Sequence, residues 1–136
     1  MVLLKKMNDE FNEESLLLPL SHYCIYMLLH QYYIQDDSLG RTGDYTANTG
    51  IEIYEVIRVI QKIPIFLEEH LKRFYYSAWL CHQEIPLREE TIASRLTRLI
   101  ESNGISEGNI RFSWCFRPTG NFQAYFIPHH YPSQEE

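Results

Sequence analysis

The sequence predicts an α+β domain, a small mixed or antiparallel sheet with two helices packed on one face. Three observations carry this expectation. Runs of β-branched and aromatic residues recur at strand length, at Ile51–Ile60, Asn109–Arg117 and Phe122–Ile127. Between the first and second of these lie two segments whose apolar residues fall at helical spacing. Strands grouped on either side of a helix pair fit a sheet that carries its helices on one side. At 136 residues, 45% hydrophobic and 22% charged, the chain can bury one real core.

Residues 1–20 are expected to form an N-terminal tail or a short docking segment. They combine Lys5 and Lys6 with an acidic run from Asn8 to Glu14, and Leu16–Leu20 is too short for a signal-peptide core or a membrane span. The folded domain is placed at residues 21–128. His22–Gln35, rich in tyrosine, isoleucine and leucine, is expected as one strand, or as two meeting near Leu29-His30. Asp36–Gly50 holds three glycines and no apolar run, and is expected as a loop.

Ile51–Ile60 follows as a strand. Alternation places Ile51, Ile53, Glu55, Ile57 and Val59 on one face, and Glu52, Tyr54, Val56, Arg58 and Ile60 on the other. Neither set is wholly apolar, so one face should meet the core and the other should line something polar. Gln61-Lys62 makes a turn, and Pro64 opens the return strand, where a missing N–H does least harm. Leu67–His82 is a helix with the stripe Leu67, Leu71, Phe74, Ala78 and Cys81. Glu68 and Glu69 suit the dipole of its first turn and His82 suits that of its last. A second helix runs from about Arg88 to Asn103 on Ile92, Leu96, Leu99 and Ile100, with Gly104 as its stop. Asn109–Arg117 then alternates Ile110, Phe112, Trp114 and Phe116 against Arg111, Ser113, Cys115 and Arg117. The turn Pro118–Asn121 leads into Phe122–Ile127 as its hairpin partner.

The net charge of −6 and the absence of a basic patch argue against a nucleic-acid or membrane-surface partner. A small phosphate-bearing molecule remains compatible, because a single arginine can dominate locally. Cys24, Cys81 and Cys115 are widely spaced, with no CxxC or Cys/His metal pattern, so reduced thiols and a cytoplasmic location are expected. His129-His130 lacks a third ligand at usable spacing, and no metal site is expected.

The segment Ile53-Tyr-Glu-Val-Ile-Arg-Val59, followed by Pro64-Ile-Phe-Leu-Glu-Glu-His-Leu-Lys-Arg73, carries a resemblance. It is similar to the N-terminal half of the fold-type-IV (class IV) pyridoxal-phosphate enzymes. These include branched-chain aminotransferases, D-amino-acid aminotransferases and aminodeoxychorismate lyases. His70-Leu-Lys-Arg-Phe74 matches the family's H-x-x-R-L phosphate arginine, with phenylalanine in the leucine position. On composition alone an arginine there is a solvated helix residue. The resemblance implies that Arg73 binds the phosphate of pyridoxal phosphate, a task suited to a permanently charged fork of donors.

Tyr54 stands where the family carries phenylalanine in F-E-x-I-R, and the resemblance implies that it lines the substrate pocket; otherwise it is a core tyrosine. Glu55 and Arg58 match the same motif. Lying on opposite strand faces, they cannot pair directly, and Glu55 is assigned a structural role and Arg58 a pocket-side or interface role. Arg111 aligns with an arginine near the substrate carboxylate in branched-chain members; the alternative is a surface ion pair of little energetic value. Arg117 shares its face. Residues 129–136 resemble the start of the inter-domain linker.

Pyridoxal-phosphate chemistry needs a lysine that reaches the cofactor aldehyde. The chain holds Lys5, Lys6, Lys62 and Lys72, and none matches the family's catalytic lysine motif, so no catalytic residue is assigned. The expectation is the N-terminal domain of an aminotransferase acting on an amino acid and a 2-oxo acid, inactive by itself and lacking the lysine domain, as a fragment or a truncated reading frame. The alternatives are an aminodeoxychorismate lyase domain, and a non-catalytic dimerising or binding module. Homodimerisation is implied by the resemblance. The family's Asn-Gly turn is replaced by Gln61-Lys62-Ile63, a departure in turn chemistry.

Overall fold

The computed structural model describes residues 28–128. The elements run β1 Leu29–Gln35, β2 Ser38–Arg41, a 3-10 turn at Thr42–Asp44, β3 Glu52–Ile60, β4 Ile63–Pro64, α1 Leu67–Leu80, α2 Glu89–Asn103, β5 Gly108–Cys115 and β6 Asn121–Ile127. Six strands form one sheet in the order β2-β1-β6-β5-β3-β4, and every pairing is antiparallel. The expected α+β class holds, and the sheet is antiparallel rather than mixed.

Both helices lie on one face. Leu71, Phe74 and Ala78 of α1 and Ile92, Leu96, Leu99 and Ile100 of α2 share a core cluster with Ile53, Ile57 and Val59 of β3, and with Ile110, Phe112, Phe122 and Phe126. Phe74 packs edge-on against Phe112 at 4.9 Å between ring centroids. The opposite sheet face carries a smaller cluster of Tyr33, Tyr125 and Ile127 with Tyr45 and Val56. The alternation read along β3 therefore sorts correctly: Ile53, Ile57 and Val59 are fully buried towards the helices, and Val56 belongs to the other side.

Several boundaries differ from expectation. The supposed loop Asp36–Gly50 contains β2, paired with β1 across a two-residue turn (Gln35 opposite Ser38), and then the 3-10 turn. Ser38-Leu-Gly-Arg41 has no β-branched residue, so the strand owes its form to pairing rather than propensity. Helix α1 stops at Leu80 because His82 takes a left-handed backbone (φ 58°), with its N–H donating to the Trp79 carbonyl. Strand β5 ends at Cys115, leaving Arg117 exposed in the turn. As expected, α2 ends at Gly104 in the left-handed region (φ 63°), where no side chain resists it.

The β3–β4 turn is formed by Gln61 (φ 53°) and Lys62 (φ 66°), both left-handed without being glycine. That is the backbone of the tight hairpin turn that Asn-Gly satisfies best, so the geometry survives the change of residues. Gly50 is required for a different reason: a Cβ there would lie 1.6 Å from the Arg117 carbonyl oxygen, so the β2–β3 connection and the β5–β6 turn touch backbone to backbone.

Strand β1 is irregular, its register against β6 shifting between Leu29 and Ile34. Asn103 of α2 fills the gap. Its Oδ1 accepts from the Gln31 and Tyr32 backbone N–H groups at 3.0 and 2.9 Å, and its Nδ2 donates to the Tyr32 carbonyl at 3.1 Å. A side chain thus supplies partners for backbone groups that the sheet leaves over.

The proposed tail at residues 1–20 and linker at 129–136, with Cys24, Lys5, Lys6, His129 and His130, lie outside the described residues.

Candidate functional site

Two polar networks grow from β3, one from Glu55 and one from Glu52 and Tyr54, and they lie on opposite sides of it. On the helix side, Glu55 is almost fully buried and binds two residues of α1. Arg73 donates from Nε to Oε2 at 2.9 Å and from Nη2 to Oε1 at 2.8 Å, a bidentate fork. His70 Nδ1 lies 2.8 Å from Oε1. A carboxylate only accepts, so Nδ1 carries the proton in this contact. The helical spacing of His70 and Arg73 places both over one spot on the strand. Exposure rises outward through the trio: Glu55 2%, His70 17% and Arg73 50% by side chain. The bond to Glu55 holds the Arg73 guanidinium above its ordinary pKa, against the smaller opposing effect of burial.

Of five guanidinium N–H groups, two go to Glu55, and Nη2 also lies 3.4 Å from His70 Nδ1. Nη1 has no partner among the described residues, and the side chain is half exposed. A fixed cation with open donors at a surface fits an anionic oxygen cluster such as a phosphate ester, so the residues present suit the group that the sequence implied.

On the other side, Arg111 is held between strands. Its Nη2 donates to Glu52 Oε2 at 2.6 Å and its Nη1 to the Tyr125 hydroxyl at 3.2 Å. Its guanidinium carbon sits 4.0 Å from the Tyr54 ring centroid, a close cation–π contact. Burial alone would depress this arginine's pKa; the Glu52 carboxylate, helped by Tyr125 and Tyr54, lifts it instead. The pair is buried, Glu52 at 5% and Arg111 at 14%, so it is a packed ion pair and not the exposed one that stood as the alternative. Tyr45 and Gln123 extend the polar surface, the Tyr45 hydroxyl donating to Gln123 Oε1 at 2.8 Å. The Ser113 hydroxyl lies buried on the same face without a hydrogen-bond partner.

Arg58 shares that face further along β3. It lies 3.8 Å from Glu107 and donates to Asn109 Oδ1 at 3.5 Å, and it does not touch Glu55. Tyr54, Arg111 and Arg58 therefore lie on one side of β3, with Tyr54 and Arg111 in contact, while Arg73 reaches Glu55 from the other side. What the two networks share is an edge. Strand β4 pairs with β3 only at Val59 and Ile60, and Ile65 N–H reaches the Arg58 carbonyl, so among the described residues no strand covers the edge of β3 away from β5 between Glu52 and Ile57.

Glu52 and Tyr125 were not singled out from the sequence. Alternation did put Glu52 beside Tyr54, but its pairing with Arg111 follows from the register of β3 on β5, in which Val56 stands opposite Arg111.

Comparisons place this fold among known proteins. The family model described as Amino-transferase class IV matches residues 52–136. A D-alanine aminotransferase of Listeria innocua is 30% identical over 98 residues, covering 72% of this chain and 34% of that protein. The branched-chain amino acid aminotransferase of Escherichia coli superposes with a TM-score of 0.65 at 14% identity, covering 74% of this chain and 41% of the other. A Legionella pneumophila structure described as a 4-amino-4-deoxychorismate lyase superposes with a TM-score of 0.55 at 18% identity, covering 60% and 34%. The chain spans about a third of the curated relative's length, and 41% and 34% of these two solved chains.

Proposed function

The chain belongs to the class IV aminotransferase family, and from that premise we propose that it forms the N-terminal, smaller domain of a pyridoxal-phosphate-dependent aminotransferase that moves an amino group between an amino acid and a 2-oxo acid. The observation that carries the proposal is the Arg73 fork: one edge clamped by a buried carboxylate, the remaining donors facing outward. When bound, the cofactor supplies the electron sink that lets the substrate's α-carbon give up a proton.

What this chain's residues do is narrower. Arg73 grips the phosphate and anchors the cofactor at the uncovered edge of β3. Tyr54 presents its ring as a pocket wall, and Arg111 beneath it holds that ring and adds positive potential towards a substrate carboxylate. Arg58 lies on the same side, nearer the β3–β4 turn. In this proposal the reacting lysine comes from a second domain. Lys72 is exposed on α1 and Lys62 is exposed in the turn. Branched-chain amino acids are one substrate class consistent with the structural relatives. The aminodeoxychorismate lyase alternative draws on the Legionella structure, and a non-catalytic binding module is the third. A cytoplasmic homodimer completes the proposal, supported by the wide spacing of the three cysteines in the sequence and by the assembly implied by the family resemblance.

Calorimetric titration of the full chain with pyridoxamine phosphate tests the anchor. Binding is expected for the native chain and is lost in Arg73→Ala. Equal binding by both would overturn the proposal.

A further inference from the structure

We propose that Glu55 and His70 are positioning residues, clamping the inner edge of the Arg73 guanidinium so that its outer donors stand ready for a phosphate-class dianion. The inference deepens the reading of Arg73 as the anion ligand and rests on it. Three contacts carry it. Glu55 meets Arg73 through both Nε and Nη2, at 2.9 and 2.8 Å, which fixes the plane of the guanidinium as well as its position. His70 meets the same Oε1 at 2.8 Å and so fixes the carboxylate from a third direction. The carboxylate itself is 2% exposed, rooted in a strand whose neighbours Ile53 and Ile57 are fully buried. It is therefore a rigid post, while the arginine it holds is half in solvent.

An unclamped arginine on a helix surface carries large rotamer freedom, which an arriving anion must freeze out. Here that ordering is done in advance by contacts within the chain itself. The arrangement has an opposing effect: a negative charge next to the guanidinium repels an incoming dianion. Orientation and charge thus pull in opposite directions, and a substitution that changes one while keeping the other separates them. Glu55→Asp is that substitution. It retains the charge and withdraws the carboxylate by one methylene, so the fork no longer closes.

The experiment compares pyridoxamine phosphate with pyridoxamine, which lacks the phosphate, on the full native chain, Glu55→Asp, His70→Gln and Arg73→Ala. Affinities come from calorimetry, and the Arg73 Nε–H resonance is followed by nitrogen-edited NMR. The native chain is expected to prefer the phosphorylated probe. In Glu55→Asp that preference falls about tenfold, the order expected for losing one well-oriented charge-assisted contact. The Arg73 Nε–H signal moves and exchanges faster with solvent, while a thermal melt shows the chain still folded. His70→Gln, which can still donate to Oε1, keeps most of the preference. An unchanged preference in Glu55→Asp, with Arg73→Ala abolishing it, overturns the positioning role and leaves Arg73 as the ligand. A preference that survives Arg73→Ala overturns the underlying reading as well. Tighter phosphate binding by Glu55→Asp would show that repulsion outweighs orientation, and would equally overturn the proposal.

Discussion

Arg111 sits 4.0 Å from the centroid of the Tyr54 ring, its guanidinium pinned from the side by Glu52 at 2.6 Å. The contact ties β5 to β3 on the face away from the helices. Removing one partner of a buried ion pair leaves the other charge stranded, at about 3–5 kcal/mol. Arg111→Met should therefore lower the melting temperature sharply, and Glu52→Gln with Arg111→Met should recover much of the loss. Chemical denaturation of the two variants checks this; equal destabilisation by both would refute it.

Asn103 is expected to matter more than an ordinary helix-end asparagine. It serves three backbone groups of β1 and returns a bond to the Leu99 carbonyl. Asn103→Ala leaves the part-buried Tyr32 N–H and carbonyl without this partner, at about 1–3 kcal/mol for each group that water cannot reach. Hydrogen exchange at Gln31 and Tyr32 should accelerate more than at β5 residues, which keep their ladder partners.

The turn between β3 and β4 is open to improvement. Gln61 and Lys62 both hold a left-handed backbone that Asn-Gly adopts with less strain. Replacing the pair by Asn-Gly should stabilise the domain by about 0.5–1 kcal/mol, the scale of strain relief at such positions. A rise in melting temperature with unchanged binding of pyridoxamine phosphate is the expected result.

Tyr75 gives a pH prediction. Burial, aided by Glu89 and Glu90, pushes its pKa up to about 12, and its hydroxyl donates to the Leu87 carbonyl. A phenol whose folded pKa is raised keeps its proton while the unfolded chain loses it. Its contribution is thus intact below the usual tyrosine value of about 10 and declines as pH climbs towards 12. Tyr75→Phe should be less stable at neutral pH by about 1 kcal/mol for the lost bond. The difference from the native chain should then shrink across that alkaline window, as read by denaturant titrations at stepped pH.

Much of this was legible in the chain. The alternation of Ile53, Glu55 and Ile57 against Tyr54 and Arg58 is a property of any extended backbone, so it survived folding unchanged. The stripes on α1 and α2 and the stop at Gly104 are equally local. What escaped notice depends on partners distant in sequence. Strand β2 exists because β1 offers it hydrogen bonds, although Ser38-Leu-Gly-Arg41 favours no strand. The Glu52–Arg111 pair joins residues 59 positions apart, and its geometry comes from a register that neither segment encodes alone. The ending of α1 at Leu80 turns on the left-handed backbone of His82, which periodicity cannot reveal. Arg73 was identified by resemblance, but its clamp became visible only when Glu55 was found beneath the helix.

Tyr54 and Glu55 are adjacent, yet each governs a different side of the sheet. Inserting or deleting a single amino acid upstream of them in β3 would exchange their sides, turning the tyrosine under α1 and the carboxylate towards Arg111. Both assemblies would fail together. Descendants of this protein can therefore vary these positions by substitution, whereas single-residue length changes within the strand are closed to them.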